Sequence, residues 1–203
     1  MDENFNKKRV QGDNEESIFA FLISSMPDWK LIKFGIENHI DDLKKKLREN
    51  HTGIAEKIKY MPDFVAINEK ENKVMFIEVK STGFIDKREQ EKLTFNFQKN
   101  LIEKYMIYWS EMKLFVVHHQ EPHFYIIDLK DINIEKHKVK GEFFSSVRNS
   151  AEHKRPMNKW NFKDIQKGIK EIFPELKDET IKEAGEMIMR IKPEEKSQED
   201  VDL

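Results

Sequence analysis

Between Met61 and Lys80 the chain sets two short apolar segments, Phe64-Val65-Ala66-Ile67 and Val74-Met75-Phe76-Ile77, on either side of the polar spacer Asn68-Glu69-Lys70-Glu71-Asn72-Lys73. Two short apolar runs joined by a polar turn predict a β-hairpin. Charge flanks it: Asp63 precedes the first strand, Glu78-Val79-Lys80 extend the second, and fourteen residues separate Asp63 from Glu78. Side chains alternate along a strand, so Glu78 and Lys80 share a face while Val79 points away. A charge set into an apolar strand is costly unless it is paired or bound to a metal. An acid, a second acid and a lysine gathered on one hairpin therefore read as a site.

The remaining composition bounds the setting. The 203 residues are enough for one sizeable domain or a domain with a small appendage. Charged residues make up 36% and mean hydropathy is −0.76, which predicts a soluble chain. No apolar run approaches the roughly 18 residues of a membrane span, so no membrane partner is expected. The acidic Met1-Asp2-Glu3-Asn4 start has no apolar core of a secretory signal, and a cytoplasmic location is the expectation. Cysteine is absent, which excludes disulfides and thiol catalysis. The net charge of −2 does not argue for nucleic acid, but distribution matters more than the sum. Acidic residues crowd the C-terminal tail, while Lys136-His137-Lys138-Val139-Lys140 and His153-Lys154-Arg155 are basic.

Residues 1–12 are polar and expected to be disordered. Asp13-Asn14 predicts the cap of a helix with Ile18, Phe19, Leu22, Ile23 and Met26 at helical spacing, ended by Pro27-Asp28. A strand is expected over 29–36, a charged helix over 38–49 and a mixed connection with helical character over 50–61, before the hairpin at 62–81. Phe95, Gln98, Ile102, Tyr105 and Trp109, alternately three and four apart, predict a long helix from about residue 87 to 112. Strands follow at 114–118 and 124–127, joined by a turn containing Pro122. Beyond Asp131 the pattern predicts a helical appendage over 131–192. It comprises a helix near 163–172, broken by Pro174, and another over 178–191 with Ile181, Ala184, Ile188 and Ile191 turned inward. Residues 193–203 read as an acidic disordered tail. The order of elements predicts an α/β fold with a mixed sheet flanked by helices.

Pro62-Asp63 followed at hairpin spacing by Glu78-Val79-Lys80, with a helix before and a helix and two strands after, resembles the PD-(D/E)xK nuclease superfamily over roughly residues 13–130. The resemblance implies a restriction-endonuclease-like core, with an insertion at about 38–61, that hydrolyses phosphodiester bonds. Asp63 and Glu78 would be Mg²⁺ ligands, with Mn²⁺ able to substitute, and the backbone carbonyl of Val79 would add an oxygen. Lys80 would orient the attacking water or stabilise developing charge. Many members carry an acid on the first helix that completes the metal site. Glu15, on the apolar side of that helix, is the preferred candidate and Glu16 the alternative; a first-turn glutamate favoured by the helix dipole is the competing reading. Gln98 interrupts the apolar stripe of the long helix, where related nucleases place a polar residue against the active site; a buried glutamine with a backbone partner is the plainer reading. Some members hold a cysteine-ligated iron–sulfur cluster, for which this chain has no ligand.

The partner implied is DNA, and the implied enzyme a Mg²⁺-dependent endonuclease of DNA recombination, repair or phage DNA processing, closest in style to small Holliday-junction resolvases or phage nucleases. Branched substrates need two cuts and so would call for a homodimer. A DNA exonuclease, a non-catalytic nucleic-acid-binding module on the same fold, and a protein-interaction factor using the C-terminal helices are the alternatives. His118 and His119, adjacent on a strand, face opposite sides and read as structural. The basic stretches at 136–140 and 153–159 read as a solvated face or a phosphate-tracking surface. Trp160 reads as the anchor of the C-terminal helices.

Overall fold

The computed structural model describes residues 3–34, 46–47, 49–50, 52–81, 94–118, 121–145 and 155–190. Its elements run α1 (Glu3–Ser24), β1 (Trp29–Lys33), α2 (Gly53–Lys59), β2 (Phe64–Asn68), β3 (Lys73–Ser81), β4 (Thr94–Gln98), α3 (Leu101–Tyr108), β5 (Lys113–Val117) and β6 (Phe124–Asp128). After a 3-10 turn at Leu129–Asp131 come α4 (Ile134–His137), β7 (Lys138–Ser145), β8 (Arg155–Asn161), β9 (Lys167–Gly168), α5 (Ile169–Ile172) and α6 (Asp178–Arg190).

Six strands form a mixed sheet in the order β1-β2-β3-β5-β6-β9, and three form a smaller sheet in the order β4-β8-β7. In the larger sheet β3 and β5 are parallel and every other pair antiparallel. A parallel pair needs a crossover, supplied here by the segment that carries β4 and α3. The fold is thus mixed α/β, as the pattern predicts.

Strand alternation sorts the apolar residues into two layers. Met75, Ile77 and Val79 of β3, Phe115 and Val117 of β5, and Phe124 and Ile126 of β6 pack with Ile18, Phe19, Leu22 and Ile23 of α1 and Ala184 and Ile188 of α6. The alternate residues Phe76, Leu114, Val116, Tyr125 and Ile127 pack with Ile102 and Tyr105 of α3 and with Phe95, Phe97 and Trp160 of the small sheet. Buried on both faces, β5 and β6 carry unbroken apolar runs. The β2–β3 turn is set by Asn72, which takes the left-handed conformation (φ 51°), and by buried Asn68, whose Oδ1 accepts the Glu71 N–H at 2.9 Å.

Three expectations are corrected. First, α1 begins at Glu3, within the stretch expected to be disordered. Its first turns carry no apolar period to betray them, and a helix anchored by its packed half propagates cheaply. Second, no helix runs from 87 to 112. Residues 82–93 lie outside the described residues, 94–98 are a strand, and only 101–108 are helical. The three–four spacing of Phe95 and Gln98 hid a period of two, in which Phe95 and Phe97 are buried and Asn96 and Gln98 exposed. Asn100, in the left-handed region (φ 64°), turns the chain from strand to helix.

Third, 131–192 is not a helical appendage. It supplies β7 and β8 of the small sheet, β9 at the edge of the large one, and α6, which packs on α1 and the main core. Trp160, fully buried on β8, is opposite Phe95 of β4 in register and stacks on Phe162 at 5.8 Å; it anchors the small sheet rather than the C-terminal helices. Only Ile169–Ile172 of the expected 163–172 helix is helical, whereas α6 matches the expected second helix closely. The strand at 29–36 is described to Lys33 and the helical character at 50–61 is realised as α2, while most of the 38–49 helix and the 193–203 tail lie outside the described residues.

Candidate active site

The β2–β3 ladder ends at the pair Phe64↔Ile77, one residue short of Asp63 and Glu78. Phe64 and Ile77 face α1, so alternation turns Asp63 and Glu78 to the other face, towards α3. The Asp63 main chain is fixed by its carbonyl, which accepts the Phe34 N–H at 2.8 Å. Its side chain takes the place of the missing strand, with Oδ2 accepting the Val79 N–H at 2.8 Å. In a strand the N–H and C=O of one residue point to the same side. The Val79 carbonyl is therefore turned towards Asp63 as well.

Glu78 is 3% exposed. Its Oε1 accepts the Tyr105 hydroxyl at 2.5 Å and pairs with the Lys80 ammonium, two residues along the same face. Its buried Oε2 has no hydrogen-bond partner among the described residues. The Glu78 carboxylate stands near enough to act on that of Asp63. Burial and then the Glu78 charge push the Asp63 carboxyl up to about 7, with Lys80 and the Val79 N–H pulling the other way. Burial works against the Lys80 charge, but the attraction of Glu78, with Tyr105 and Asp63 behind it, outweighs it and holds the ammonium well above its ordinary value. Burial, and then Glu78, push the Tyr105 hydroxyl far above its own, so it stays a donor. Asp63, Glu78, Lys80 and Tyr105 form one coupled group.

Among the sequence candidates, Asp63, Glu78, Val79 and Lys80 come together at the end of the hairpin. Glu15 is buried on α1, but α1 packs on the face of β3 opposite Glu78 and Lys80. A third carboxylate from that helix would have to approach around the strand end. Glu16 pairs instead with Lys33 at 2.9 Å. Gln98 is exposed at the end of β4, opposite Met157 of β8, and not on a helix beside the site.

His118 is buried at the end of β5, its ring edge-on to Tyr125; His119 lies outside the described residues. Of the basic stretch, Lys136 pairs with Asp164, Lys138 pairs with Glu103 at 2.7 Å, and His137 is buried.

Tyr105 is the site residue that sequence reasoning passed over. It belongs to the apolar stripe of α3, and its hydroxyl was the signal: a buried tyrosine seeks a partner, and the hairpin offers a buried acid. Beyond it the ring of Tyr60 stands edge-on to Tyr105 at 6.0 Å and lies parallel to Tyr108 at 6.2 Å. Glu56 of α2 accepts the Tyr108 hydroxyl at 2.8 Å and pairs with Lys104 at 2.5 Å, tying α2 to α3.

No group of three or more histidines or acids placed to hold a metal is found among the described residues. The pair Asp63 and Glu78 does suit a hard cation. Mg²⁺ keeps several of its waters and takes one or two carboxylates together with substrate phosphates, and the buried Glu78 Oε2 has no hydrogen-bond partner among the described residues. No helix among the described residues is long and apolar enough to cross a membrane. Comparison of the chain with known protein families, curated proteins and solved structures finds no match, so the chemistry of this group is what speaks to function.

Proposed function

We propose that the chain is a metal-dependent nuclease of the PD-(D/E)xK type, with a restriction-endonuclease-like core, that hydrolyses DNA phosphodiester bonds as an endonuclease. The observation that supports it is the meeting of two neighbouring carboxylates and a lysine where the β2–β3 ladder stops. There Asp63 takes the N–H of Val79, and Glu78 and Lys80 share a face. A structural ion pair would need only Glu78 and Lys80. The second carboxylate is set against the first at a cost in burial and repulsion that such a pair does not require.

In this reading Asp63, Glu78 and the carbonyl of Val79 would hold Mg²⁺ or Mn²⁺. When bound, the ion neutralises the scissile phosphate and acidifies its attacking water. Lys80 remains protonated beside Glu78, so it acts as a fixed positive charge next to the phosphate oxygens rather than as a base. Tyr105 holds Glu78 in one orientation through Oε1 and leaves Oε2 available. Pro62 and the Phe34–Asp63 main-chain bond fix the position from which Asp63 reaches Val79.

Cleavage of linear, nicked, flapped and four-way DNA with Mg²⁺ or Mn²⁺ tests the proposal. Asp63→Ala should abolish metal-dependent cleavage, and Lys80→Ala should lower kcat by about 10²–10³-fold, as loss of one charge-stabilising donor does elsewhere. Full activity in either variant would refute the assignment.

A further inference from the structure

We propose that the aromatic shelf formed by Tyr60 and Tyr108 between α2 and α3 is a binding site for unpaired bases of a nucleic-acid strand. Its role as a substrate subsite rests on the nuclease reading; its binding can be measured without that reading.

The shelf is continuous with the carboxylate group. Glu78 bonds Tyr105, the Tyr105 ring meets Tyr60 edge-on at 6.0 Å, and Tyr60 lies parallel to Tyr108, their planes 8° apart. Tyr60 and Tyr108 are each partly exposed. Their parallel planes favour flat ligands in one common orientation, as consecutive bases of a single strand require. The shelf is held stiffly, because the Tyr108 hydroxyl is bonded to Glu56 and Glu56 in turn to Lys104.

Charge around the shelf suits a phosphate backbone. Lys59 stands over the Tyr60 ring at 5.7 Å, Lys57 over Trp109 at 5.2 Å and Lys104 over Tyr108 at 5.7 Å. Lys57 and Lys59 are exposed, and neither has a carboxylate partner in the described ion pairs. Glu56 pairs with Lys104 and also feels the charge of Lys59, while Lys57 is left to the shelf edge. Partly exposed aromatic rings bordered by ammonium groups are a combination that binds single strands, with stacking for bases and cations for phosphates. A blunt duplex keeps its bases paired inside and offers the shelf only its phosphates. The shelf therefore directs the site towards single-stranded, flapped or frayed substrates.

The test is binding of a fluorescein-labelled oligothymidylate, and of a blunt duplex of equal length, to the full chain in EDTA. The single strand should bind more tightly than the duplex. Tyr60→Leu and Tyr108→Leu should each weaken single-strand binding by about fivefold or more, with less than about a twofold change for the duplex. Tyr60→Phe keeps the ring and should retain single-strand binding, and circular dichroism establishes that each variant is folded. Lys59→Ala, on an exposed side chain, should reduce the salt dependence of single-strand binding.

Equal binding of both probes by the unaltered chain, or unchanged single-strand affinity in the leucine variants, would overturn the inference. So would Tyr60→Phe or Lys59→Ala indistinguishable from the leucine variants in every reading. The two proposals fail separately. Binding with this pattern but no cleavage under Mg²⁺ would remove the nuclease reading alone, whereas cleavage lost in Asp63→Ala with normal binding in the leucine variants would remove the shelf alone.

Discussion

Asp63 carries the sharpest consequences at the scale of the residue. Its carboxyl sits at about 7 in the folded chain, against an unfolded value near the ordinary 3.8. Between those values the folded state holds a proton that the unfolded state has released, so stability falls as pH rises from about 4 to 7. The loss is at most about 1.4 kcal/mol for each pH unit of that interval. Melting in EDTA from pH 5 to 8 should show Tm declining, and Asp63→Asn should flatten the decline; a flat profile in the unaltered chain would count against the coupled carboxylates. Tyr105→Phe tests the other side of the group. It removes one donor from a buried carboxylate and should cost about 1–2 kcal/mol, read by urea unfolding. In the nuclease reading it should also weaken Mg²⁺ affinity about tenfold, the usual effect of freeing a ligand's orientation. Asp63, Glu78 and Lys80 were legible in the sequence because charge on apolar strands is conspicuous. Tyr105 was not, because an apolar stripe absorbs a tyrosine without contradiction.

At the scale of the element, α6 shows how closely a helix can be fitted to the sheet. A Cβ built on Gly185 would lie 2.6 Å from Cδ2 of the His123 ring, and that ring is held by the contact of its Nδ1 with the His118 carbonyl at 3.0 Å. On propensity alone Gly185→Ala should stabilise a helix by about 1 kcal/mol. Here the clash should win: overpacking costs about 1–3 kcal/mol, so the variant should melt lower than the parent. A rise in Tm would mean that His123 swings aside freely. The same contest between local preference and context explains the strands that sequence reading missed. Phe95 and Phe97 alternate as a strand should, yet Phe95, Gln98 and Ile102 also fit a helix, and the pairing of β4 with β8 decides between them. That partner lies more than fifty residues away along the chain, outside the reach of any local pattern.

At the scale of the whole molecule, the C-terminal third is part of the fold. Ala184 and Ile188 of α6 complete the layer built on α1, Trp29 packs edge-on against Phe173 at 5.0 Å, and β9 closes the sheet edge beside β6. Asp128, buried on β6, accepts from Lys167 at 2.6 Å and pairs with Lys113, which locks that edge. A chain ending at residue 173 should therefore lose cooperative thermal unfolding. A sharp melt in the truncated chain would show that the first layer stands without α6.

What the sequence alone determined is the α/β class, the hairpin and the three charges gathered at its end, because these follow from local alternation and the cost of burying charge. What only the tertiary structure decided is the small sheet, the place of α6 in the main core, and the tyrosines that close the site and extend it into a shelf. Each of these depends on partners brought together from distant parts of the chain, and no local period records which faces will meet.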